Sequence, residues 1–379
     1  MIAKFFLGVG LLVLMVVVSF GTFFYLGGRH SKIALAPQKP TAATPRAQAF
    51  SLPGTLYLAQ NGALYSFSVG RFHQITAEEG WTQPSLFPDG QYLLAVKRSY
   101  LYSDVYVLTR FGAVHRQLTN NTAYGRYADI SDRHWSFYPR LNPSESTVFM
   151  SYDAPKYGYD VNLSVWGVPY GAAMSQGRLW TISKDYTGGD VQALPLNGGG
   201  IIYTKYSYGL DGNLTGQLWF SKNPENPRIP GTALTDPDKD CSQPSLSPDG
   251  HLLAFICTNK KQFADMYIAS WNGSSLGRLY DVIGNQVVAQ PTFAPDGSGI
   301  AYLAPGAAGQ FQLWFLPKNA YDAPAPSSTP VPTPTPGGPY SGTLPSPTTA
   351  APTAAPVIKP IQITTGNGFD ATSPMTWSN

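Results

Sequence analysis

Short runs of apolar residues, separated by turns rich in Pro, Asp and Gly, recur along most of this chain. Examples are Tyr92 to Val96, Leu252 to Ile256 and Ile300 to Leu303, each of which directly follows such a turn. Apolar runs of this length between Pro/Gly turns are typical of buried β-strands rather than of amphipathic helices. The pattern therefore predicts an all-β domain.

The strands belong to a repeat. Three segments read Gln-Pro-Ser/Thr followed by Pro-Asp-Gly, at residues 83–90, 243–250 and 290–297, and weaker copies begin at Tyr138, Val191 and Ser373. In the turn, Pro restricts φ, Asp caps through its side chain and Gly adopts positive φ. The copies begin roughly 50 residues apart, the spacing of a four-stranded propeller blade. Six copies predict six blades.

The last copy contains only the first strand of a blade. The repeat region, in contrast, begins with three strands that precede the first copy and belong to none of the six. These are Thr55 to Ala59, Leu64 to Val69 and His73 to Thr76. We therefore predict a six-bladed β-propeller, residues 54–322 and 360–379, in which the C-terminal strand completes the first blade. The alternative is an open array of β-hairpins, which would leave exposed sheet edges.

These Pro-Asp-Gly hairpins, preceded by Gln-Pro-Ser/Thr, resemble the WD40-like (PD40) repeats of the TolB-type propeller family. The resemblance implies the fold and leaves the activity open. Blades three and four depart from the pattern at residues 143–145 and 197–199. A hydrophobic segment also stands where TolB carries an N-terminal α/β domain, so membership in a Tol-Pal complex is not implied.

The hydrophobic segment covers residues 5–26, which carry no charge. As a helix it would be roughly 33 Å long, enough to cross a bilayer core of about 30 Å. We predict a transmembrane signal-anchor, preceded by a short tail (1–4) and followed by a linker (27–53). The alternative is a signal peptide cleaved near Ala34-Leu35-Ala36.

The composition suits a chain of strands and turns. Charged residues are 12% of the chain, whereas it contains 38 Gly, 34 Pro and 23 Tyr. The net charge of +3 is spread without a basic block, which argues against a nucleic-acid partner.

The two cysteines flank one Pro-Asp-Gly turn. The register of that hairpin sets Cys241 opposite Cys257, at a separation that suits a disulfide. The alternative is two unrelated buried thiols. We predict the disulfide, and with it an oxidising compartment.

The charges beside the anchor favour the opposite orientation. Lys4 precedes the segment, whereas Arg29, Lys32 and Lys39 follow it, which by the positive-inside rule would leave the propeller in the cytoplasm. On the evidence of the cysteines and the Pro/Thr-rich tract we predict a single-pass protein of the cell membrane with an extracytoplasmic propeller. The conflict between the two signals stays open.

Residues 323–359 form that Pro/Thr-rich tract. Its prolines cannot donate to a sheet ladder and favour extended chain. A disordered insertion is the simpler interpretation; a stalk, or a glycosylated or wall-contacting segment, is the alternative.

Aromatic residues concentrate in the loops at the end of the blades opposite the Pro-Asp-Gly turns. We call them the aromatic rim: Tyr100, Tyr102, Tyr124, Tyr127, His134, Trp135, Tyr157, Tyr159, Tyr206 and Tyr208. Such side chains dominate binding hot spots. We predict that the rim binds a protein, peptide or glycan, and that part of it is packing between blades.

Familiar catalytic patterns fit poorly. Residues 273–277 match G-x-S-x-G, yet every histidine precedes them, the wrong order for an α/β-hydrolase. Residues 236–240 resemble the start of a calcium loop, but Cys241 stands where Gly is needed. We predict no cofactor and no metal site.

The alternative function is a carbohydrate-active hydrolase or lyase. Its carboxylates would have to meet in three dimensions at the mouth of the channel. The candidates are Asp104, Asp129, Asp132, Asp153, Asp160, Asp185 and Asp190. Two of them within about 10 Å in a deep pocket would favour the enzyme. The prediction leans toward a non-catalytic binding or scaffold module.

Overall fold

The computed structural model describes residues 51–123, 129–156, 158–159, 161–184, 186–209, 212–222, 231–258, 263–284, 286–322 and 359–379. Within these residues, 24 strands form six antiparallel four-stranded sheets. The predicted all-β six-bladed propeller is confirmed.

The strands are numbered in chain order and fall into four positions within a blade. The innermost strands are β4 (Trp81–Leu86), β8 (Ser136–Leu141), β12 (Asp190–Pro195), β16 (Cys241–Leu246), β20 (Ala289–Phe293) and β24 (Thr376–Ser378). The second strands are β1 (Thr55–Gln60), β5 (Tyr92–Arg98), β9 (Thr147–Tyr152), β13 (Ile201–Tyr208), β17 (Leu252–Thr258) and β21 (Gly299–Pro305). The third strands are β2 (Ala63–Ser68), β6 (Ser103–Thr109), β10 (Ser164–Pro169), β14 (Leu214–Ser221), β18 (Ala264–Trp271) and β22 (Phe311–Pro317). The outermost strands are β3 (Arg71–Gln74), β7 (Val114–Gln117), β11 (Arg178–Leu179), β15 (Thr232–Ala233), β19 (Leu276–Ile283) and β23 (Ile361–Gln362).

The innermost strands close a ring. Each contacts the innermost strand of the blade before it and of the blade after it, and β24 contacts both β20 and β4. They therefore surround a central channel.

The C-terminal strand completes the first blade, whose order is β24-β1-β2-β3. Trp377 lies opposite Leu56 in the ladder, and its indole Nε1 donates to the carbonyl oxygen of Pro53 at 2.6 Å. Gly54, at φ +62°, lies so close to the closing strand that a Cβ there would collide with the carbonyl oxygen of Ser378. Both ends of the repeat region thus meet in one sheet.

The core consists of six hydrophobic clusters, each between two neighbouring blades, among the described residues. Successive side chains of a second strand point to opposite faces of its sheet. Leu93 therefore packs toward the first blade and Leu94 toward the third. Both faces of these strands are buried, which explains their continuous apolar runs. The outermost strand β7 is exposed throughout and is correspondingly polar.

The Pro-Asp-Gly turn of the fifth blade has the geometry that its sequence predicts. The Asp249 carboxylate accepts from Ser247 Oγ at 2.6 Å and from the backbone N–H of His251 at 3.0 Å, and Gly250 adopts φ +76°. These hydrogen bonds, that from Ser247 first, lower the pKa of Asp249.

A threonine just after the outermost strand fastens that strand to its neighbour in five blades. Its hydroxyl accepts, at 2.8–3.0 Å, from a backbone N–H of the third strand. The five are Thr76, Thr119, Thr181, Thr235 and Thr364. The repeated Gln-Ile/Leu-Thr at 74–76, 117–119 and 362–364 is the sequence signal for this contact.

Several predicted segments lie outside the described residues: the tail and anchor (1–26), the linker up to residue 50, and the Pro/Thr-rich insertion apart from Lys359. In the part of the chain that the structure does describe, no helix combines the length and the apolar character needed to cross a bilayer.

Candidate binding face and central channel

The strand order sorts the loops onto two ends of the propeller. Pro-Asp-Gly turns join first to second strands, and these turns lie at one end together with the turns from third to outermost strands. Loops from second to third strands, and from one blade to the next, lie at the other end. The described members of the aromatic rim all belong to this second end.

Three rim tyrosines are strongly exposed. The exposed fraction is 91% for Tyr100, 85% for Tyr159 and 54% for Tyr208. Tyr100 lies in the loop after β5, Tyr159 in the loop after β9, and Tyr208 is the last residue of β13. They extend over three consecutive blades and are accessible to a ligand.

His134 and Trp135 are half-buried and are held by Asp153. The Nδ1 of His134 lies 2.9 Å from the Asp153 carboxylate, which also accepts from the backbone N–H of Trp135 at 2.9 Å. The indole of Trp135 stacks on Phe137 at 5.6 Å, and the Arg98 guanidinium lies 5.6 Å from its centroid. His134 and Trp135 therefore belong to the rim and are also held in place by contacts with the blades beneath it.

The other rim residues differ in their roles. Tyr102 is half-buried, and its carbonyl accepts from the N–H of Ser99, which closes the loop between β5 and β6. Tyr206 is half-buried, and burial raises the pKa of its hydroxyl despite a hydrogen bond with Ser242 of the next blade. It is a packing residue between blades. Tyr124, Tyr127 and Tyr157 lie outside the described residues.

The sequence reasoning missed Tyr186. It is 77% exposed and has φ +59°, a left-handed backbone conformation that is uncommon for a bulky residue. Its carbonyl oxygen accepts from the Tyr208 hydroxyl at 3.0 Å, so the two aromatic residues form one unit. Gly188 and Gly189 indicate a turn next to Tyr186 in the sequence. The neighbouring residues do not indicate that the Tyr186 side chain faces solvent.

The buried carboxylates at this end are bonded to the protein itself. Asp104 accepts from Thr119 Oγ1 at 2.9 Å and from the N–H of Asn121 at 2.8 Å. Asp190 lies 3.1 Å from the Lys205 ammonium. Burial raises the pKa of both carboxyls, against these hydrogen bonds in Asp104 and against the lysine charge in Asp190. Each fixes a connection between strands or blades.

Three of the other candidate carboxylates, Asp153, Asp129 and Asp132, also have partners within the protein. Asp153 is fully buried and lies 3.3 Å from the ammonium of Lys156. Asp129 and Asp132 cap one exposed turn, and hydrogen bonds from Ser131 lower the pKa of Asp129. Asp160 and Asp185 lie outside the described residues.

A belt of glutamines lines the channel. At a bulge of four innermost strands, Gln83, Gln192, Gln243 and Gln290 adopt φ between +54° and +59°. In three cases the side-chain oxygen of a glutamine accepts, at 2.6–3.1 Å, from a backbone N–H at the bulge of the next blade. The acceptors Gln83, Gln192 and Gln243 receive these bonds from the N–H groups of Tyr138, Gln243 and Gln290, respectively. This belt explains the Gln in the Gln-Pro-Ser/Thr repeat, because at these three junctions it links one blade to the next.

Cys241 and Cys257, the predicted partners, lie opposite each other in the ladder and are joined by a disulfide. Both are buried in the cluster between the fourth and fifth blades.

Across the described segments, no three His, Cys, Asp or Glu side chains are grouped so that they could hold a metal ion.

The fold is that of known propellers. TolB from Acinetobacter baumannii superposes with a TM-score of 0.51 at 14% identity, over 71% of this chain and 62% of that one. A protein described as TolB from Agrobacterium tumefaciens gives a TM-score of 0.47 at 14% identity, over 71% of this chain and 86% of that one. A gluconolactonase from Xanthomonas campestris gives 0.45 at 12% identity, over 75% and 83%.

This chain therefore spans less than two thirds of the Acinetobacter TolB. No family model and no curated protein matches the sequence. At these identities the likeness shows the propeller fold alone, and function has to be argued from the site.

Proposed function

We propose that this protein is a membrane-tethered, extracytoplasmic propeller that binds a protein, peptide or glycan at its aromatic rim, without catalysing a reaction. The observation that carries the proposal is the group of exposed tyrosines on consecutive blades, Tyr100, Tyr159 and Tyr208. A tyrosine offers a large apolar ring with a polar tip at low cost in side-chain entropy, which suits a contact surface.

The carboxylates at the same end support binding over catalysis. A glycosidase needs an acid and a second carboxylate free to act on the substrate. Asp104, Asp153 and Asp190 are each buried and bonded to protein donors. Because these protein donors hold each of the three carboxylates in place, the carboxylates serve the structure and are not free to act on a substrate.

The compartment is argued from the disulfide and the N-terminus. Disulfides persist in oxidising environments, and residues 5–26 have the length and composition of a single membrane span. We therefore propose an uncleaved anchor with the propeller outside the cytoplasm. Intact-mass analysis of protein from native membranes tests this: the anchor residues should be present, and two thiols should appear only after reduction. Two free thiols before reduction would remove the argument for the compartment.

The rim is tested with a triple variant, Tyr100→Ala, Tyr159→Ala and Tyr208→Ala. These side chains are exposed, so the melting temperature should change little. The full chain is immobilised and presented with a glycan array and, separately, with a cell-envelope extract. We expect a specific ligand for the wild-type protein and a loss of binding of at least about tenfold for the variant, since aromatic hot spots contribute about 2 kcal/mol or more.

The matched control carries two substitutions at the opposite end, Val69→Ala and Phe111→Ala. Both side chains are exposed, at 80% and 73%, in turns between third and outermost strands. The control should bind as the wild type does. Equal binding by the triple variant would refute the rim assignment. Cleavage of an array glycan would establish the enzymatic alternative instead.

A further inference from the structure

Three consecutive blades carry a bulky apolar residue at the same position of a turn. In the first, second and third blades, the turn from the third to the outermost strand places Val69, Phe111 and Tyr170 directly before a glycine with positive φ. Val69 is 80%, Phe111 73% and Tyr170 38% exposed. The same position of the fifth blade is Asn272, whose side chain accepts from two backbone N–H groups of its own turn. The first three blades thus carry an exposed apolar residue where the fifth has an ordinary turn residue.

Val69 occupies this position against the preference of its own turn. Ser68 pairs with Arg71, so Val69 and Gly70 form a two-residue hairpin turn in which both have positive φ, 49° and 71°. Such turns favour Asn-Gly, and a β-branched residue is strained in this conformation. Neither the turn nor burial within the protein accounts for the valine. An apolar partner outside the propeller would account for it.

Arginines accompany these apolar side chains. Arg71 directly follows the first turn, Arg110 precedes Phe111, and Arg116 lies on β7. All three arginines are exposed. The Arg110 guanidinium lies 4.8 Å from the centroid of the Phe111 ring. The exposed apolar positions therefore have a positive charge beside them.

No carboxylate offsets these charges in the outer turns of the three blades. The described segments 68–73, 109–116 and 169–178 contain four arginines and no Asp or Glu. Asp89 and Glu145 lie at the same end, but in turns between first and second strands, nearer to the channel. The outer part of this end is therefore both apolar and basic.

Contacts between blades join the turns into one stripe. Gly112 lies so close to Ile75, which follows β3, that a Cβ there would collide with the Ile75 carbonyl oxygen. The Arg116 guanidinium donates at 2.9 Å to the carbonyl oxygen of Gly171, next to Tyr170. The turns of the second and third blades thus abut the outermost strand of the blade before. We call the stripe the basic-apolar patch: Val69, Arg71, Arg110, Phe111, Arg116 and Tyr170.

The chain enters the propeller at the same end. Ser51, the first described residue, precedes β1, which starts at the end of the Pro-Asp-Gly turns. Residues 27–50 separate it from the proposed anchor, residues 5–26. A segment of this length spans at most roughly 85 Å even when fully extended. The proposed anchor would therefore keep the basic-apolar patch within that distance of the lipid headgroups.

We propose that the basic-apolar patch docks on a bilayer surface that contains anionic phospholipid. Its apolar side chains enter the boundary between headgroups and acyl chains, and its arginines bind the phosphate groups, which match the guanidinium fork. The choice of a lipid surface over a protein partner rests on the membrane tether of the proposed function. Docking at this end leaves the aromatic rim, at the other end, free for its ligand.

The test uses the full chain in vesicles of phosphatidylcholine alone and of phosphatidylcholine mixed with phosphatidylglycerol. Val114, 57% exposed on β7, is replaced by Cys and labelled with a fluorophore, since the native cysteines are held in the disulfide. Lipids with a nitroxide on the headgroup quench a fluorophore that lies at the membrane surface. We expect strong quenching in the anionic vesicles, weaker quenching in the neutral ones, and its loss at high salt. A label at Tyr159→Cys, on the rim, should stay unquenched.

Substitutions of arginine test the charge of the basic-apolar patch. Arg110→Gln should lower the ratio of docked to undocked protein about fivefold, the contribution of one basic residue beside an anionic surface. Adding Arg71→Gln should lower it about tenfold or more in total. The matched control is Lys184→Gln, which removes one exposed charge in a loop at the rim end and should leave docking unchanged.

Substitutions by asparagine test the apolar side chains without disturbing the turns. Val69→Asn combined with Phe111→Asn should reduce quenching in the anionic vesicles. The melting temperature should stay the same or rise, because Asn suits the left-handed position of residue 69. A fall would show that Val69 serves the fold and would overturn its assignment to the patch.

Extraction with alkaline carbonate measures the anchor separately from the patch, because it releases proteins that only surface contacts hold. A chain that is retained but unquenched, or equally quenched in both kinds of vesicle, would overturn the lipid surface and leave the anchor standing. Quenching of a chain that carbonate releases would refute the anchor and still support the patch. A fluorophore that responds only to added detergent-solubilised membrane proteins would assign the patch to a protein partner and overturn the proposal.

Discussion

Removal of residues 373–379 should open the ring and destabilise the whole propeller. This segment contains β24, with Met375 3% and Trp377 8% exposed. Loss of a buried Met costs about 2–5 kcal/mol, and loss of a buried Trp about 3–5 kcal/mol. The ladder to β1 is lost with them.

The deletion also leaves donors of the second blade without partners. The Ser373 hydroxyl accepts from the N–H of Gln83 at 2.7 Å, and the Thr376 hydroxyl accepts from the N–H of Leu86 at 3.0 Å. Each buried donor left unpaired costs about 1–3 kcal/mol unless water reaches it. The two side chains alone account for roughly 5–10 kcal/mol, before the unpaired donors are added, and this loss is comparable to the total stability of a domain, about 5–15 kcal/mol.

Thermal unfolding followed by circular dichroism measures the effect. We expect the melting temperature to fall by about 10 °C or more, or the cooperative transition to disappear. Deletion of exposed Asn379 alone is the control and should change little. A peptide of residues 359–379 added in trans should restore part of the loss, as strand addition does elsewhere. If the clipped protein melted as the full chain does, the closure argument would be wrong.

Two further predictions concern the inside of the blades. Replacing Cys241 and Cys257 together by Ala should lower the free energy of unfolding by about 2–4 kcal/mol in urea titrations, because the disulfide closes a loop with a sequence separation of 16; an unchanged urea midpoint would contradict this. Lys205→Met should cost about 3–5 kcal/mol at pH 8, because it leaves Asp190 buried as an unpaired charge. Burial already raises the pKa of Asp190, and loss of the lysine charge should raise it further. A carboxyl whose pKa is higher in the folded than in the unfolded protein reduces the free energy of unfolding as the pH rises from the unfolded to the folded pKa. The cost should therefore be smaller at pH 5, and an equal cost at both pH values would refute the role of Asp190.

Local pattern was sufficient for the elements of the propeller. The Pro-Asp-Gly turns, the doubly buried second strands and the cross-strand placement of Cys241 opposite Cys257 all follow from residues close together in the chain. Ring closure could also be predicted, because one strand at the C-terminal end and three strands at the N-terminal end of the repeat region add up to one four-stranded blade. These features depend on hairpin register and burial, which short sequence windows encode.

The functional surfaces were less readable. The rim residues looked alike in the sequence, yet Tyr100 faces solvent while Tyr206 packs against the next blade. The repeated Gln likewise had no evident purpose until neighbouring blades were seen to share it.

The sequence by itself determined that the chain forms six four-stranded blades and that its two ends meet in one of them, since turn chemistry and strand periodicity are local. Only the tertiary structure decided which tyrosines are exposed and which carboxylates are bonded to protein donors. The physical reason is that burial and charge compensation arise from contacts between blades, over sequence distances that no local pattern reports.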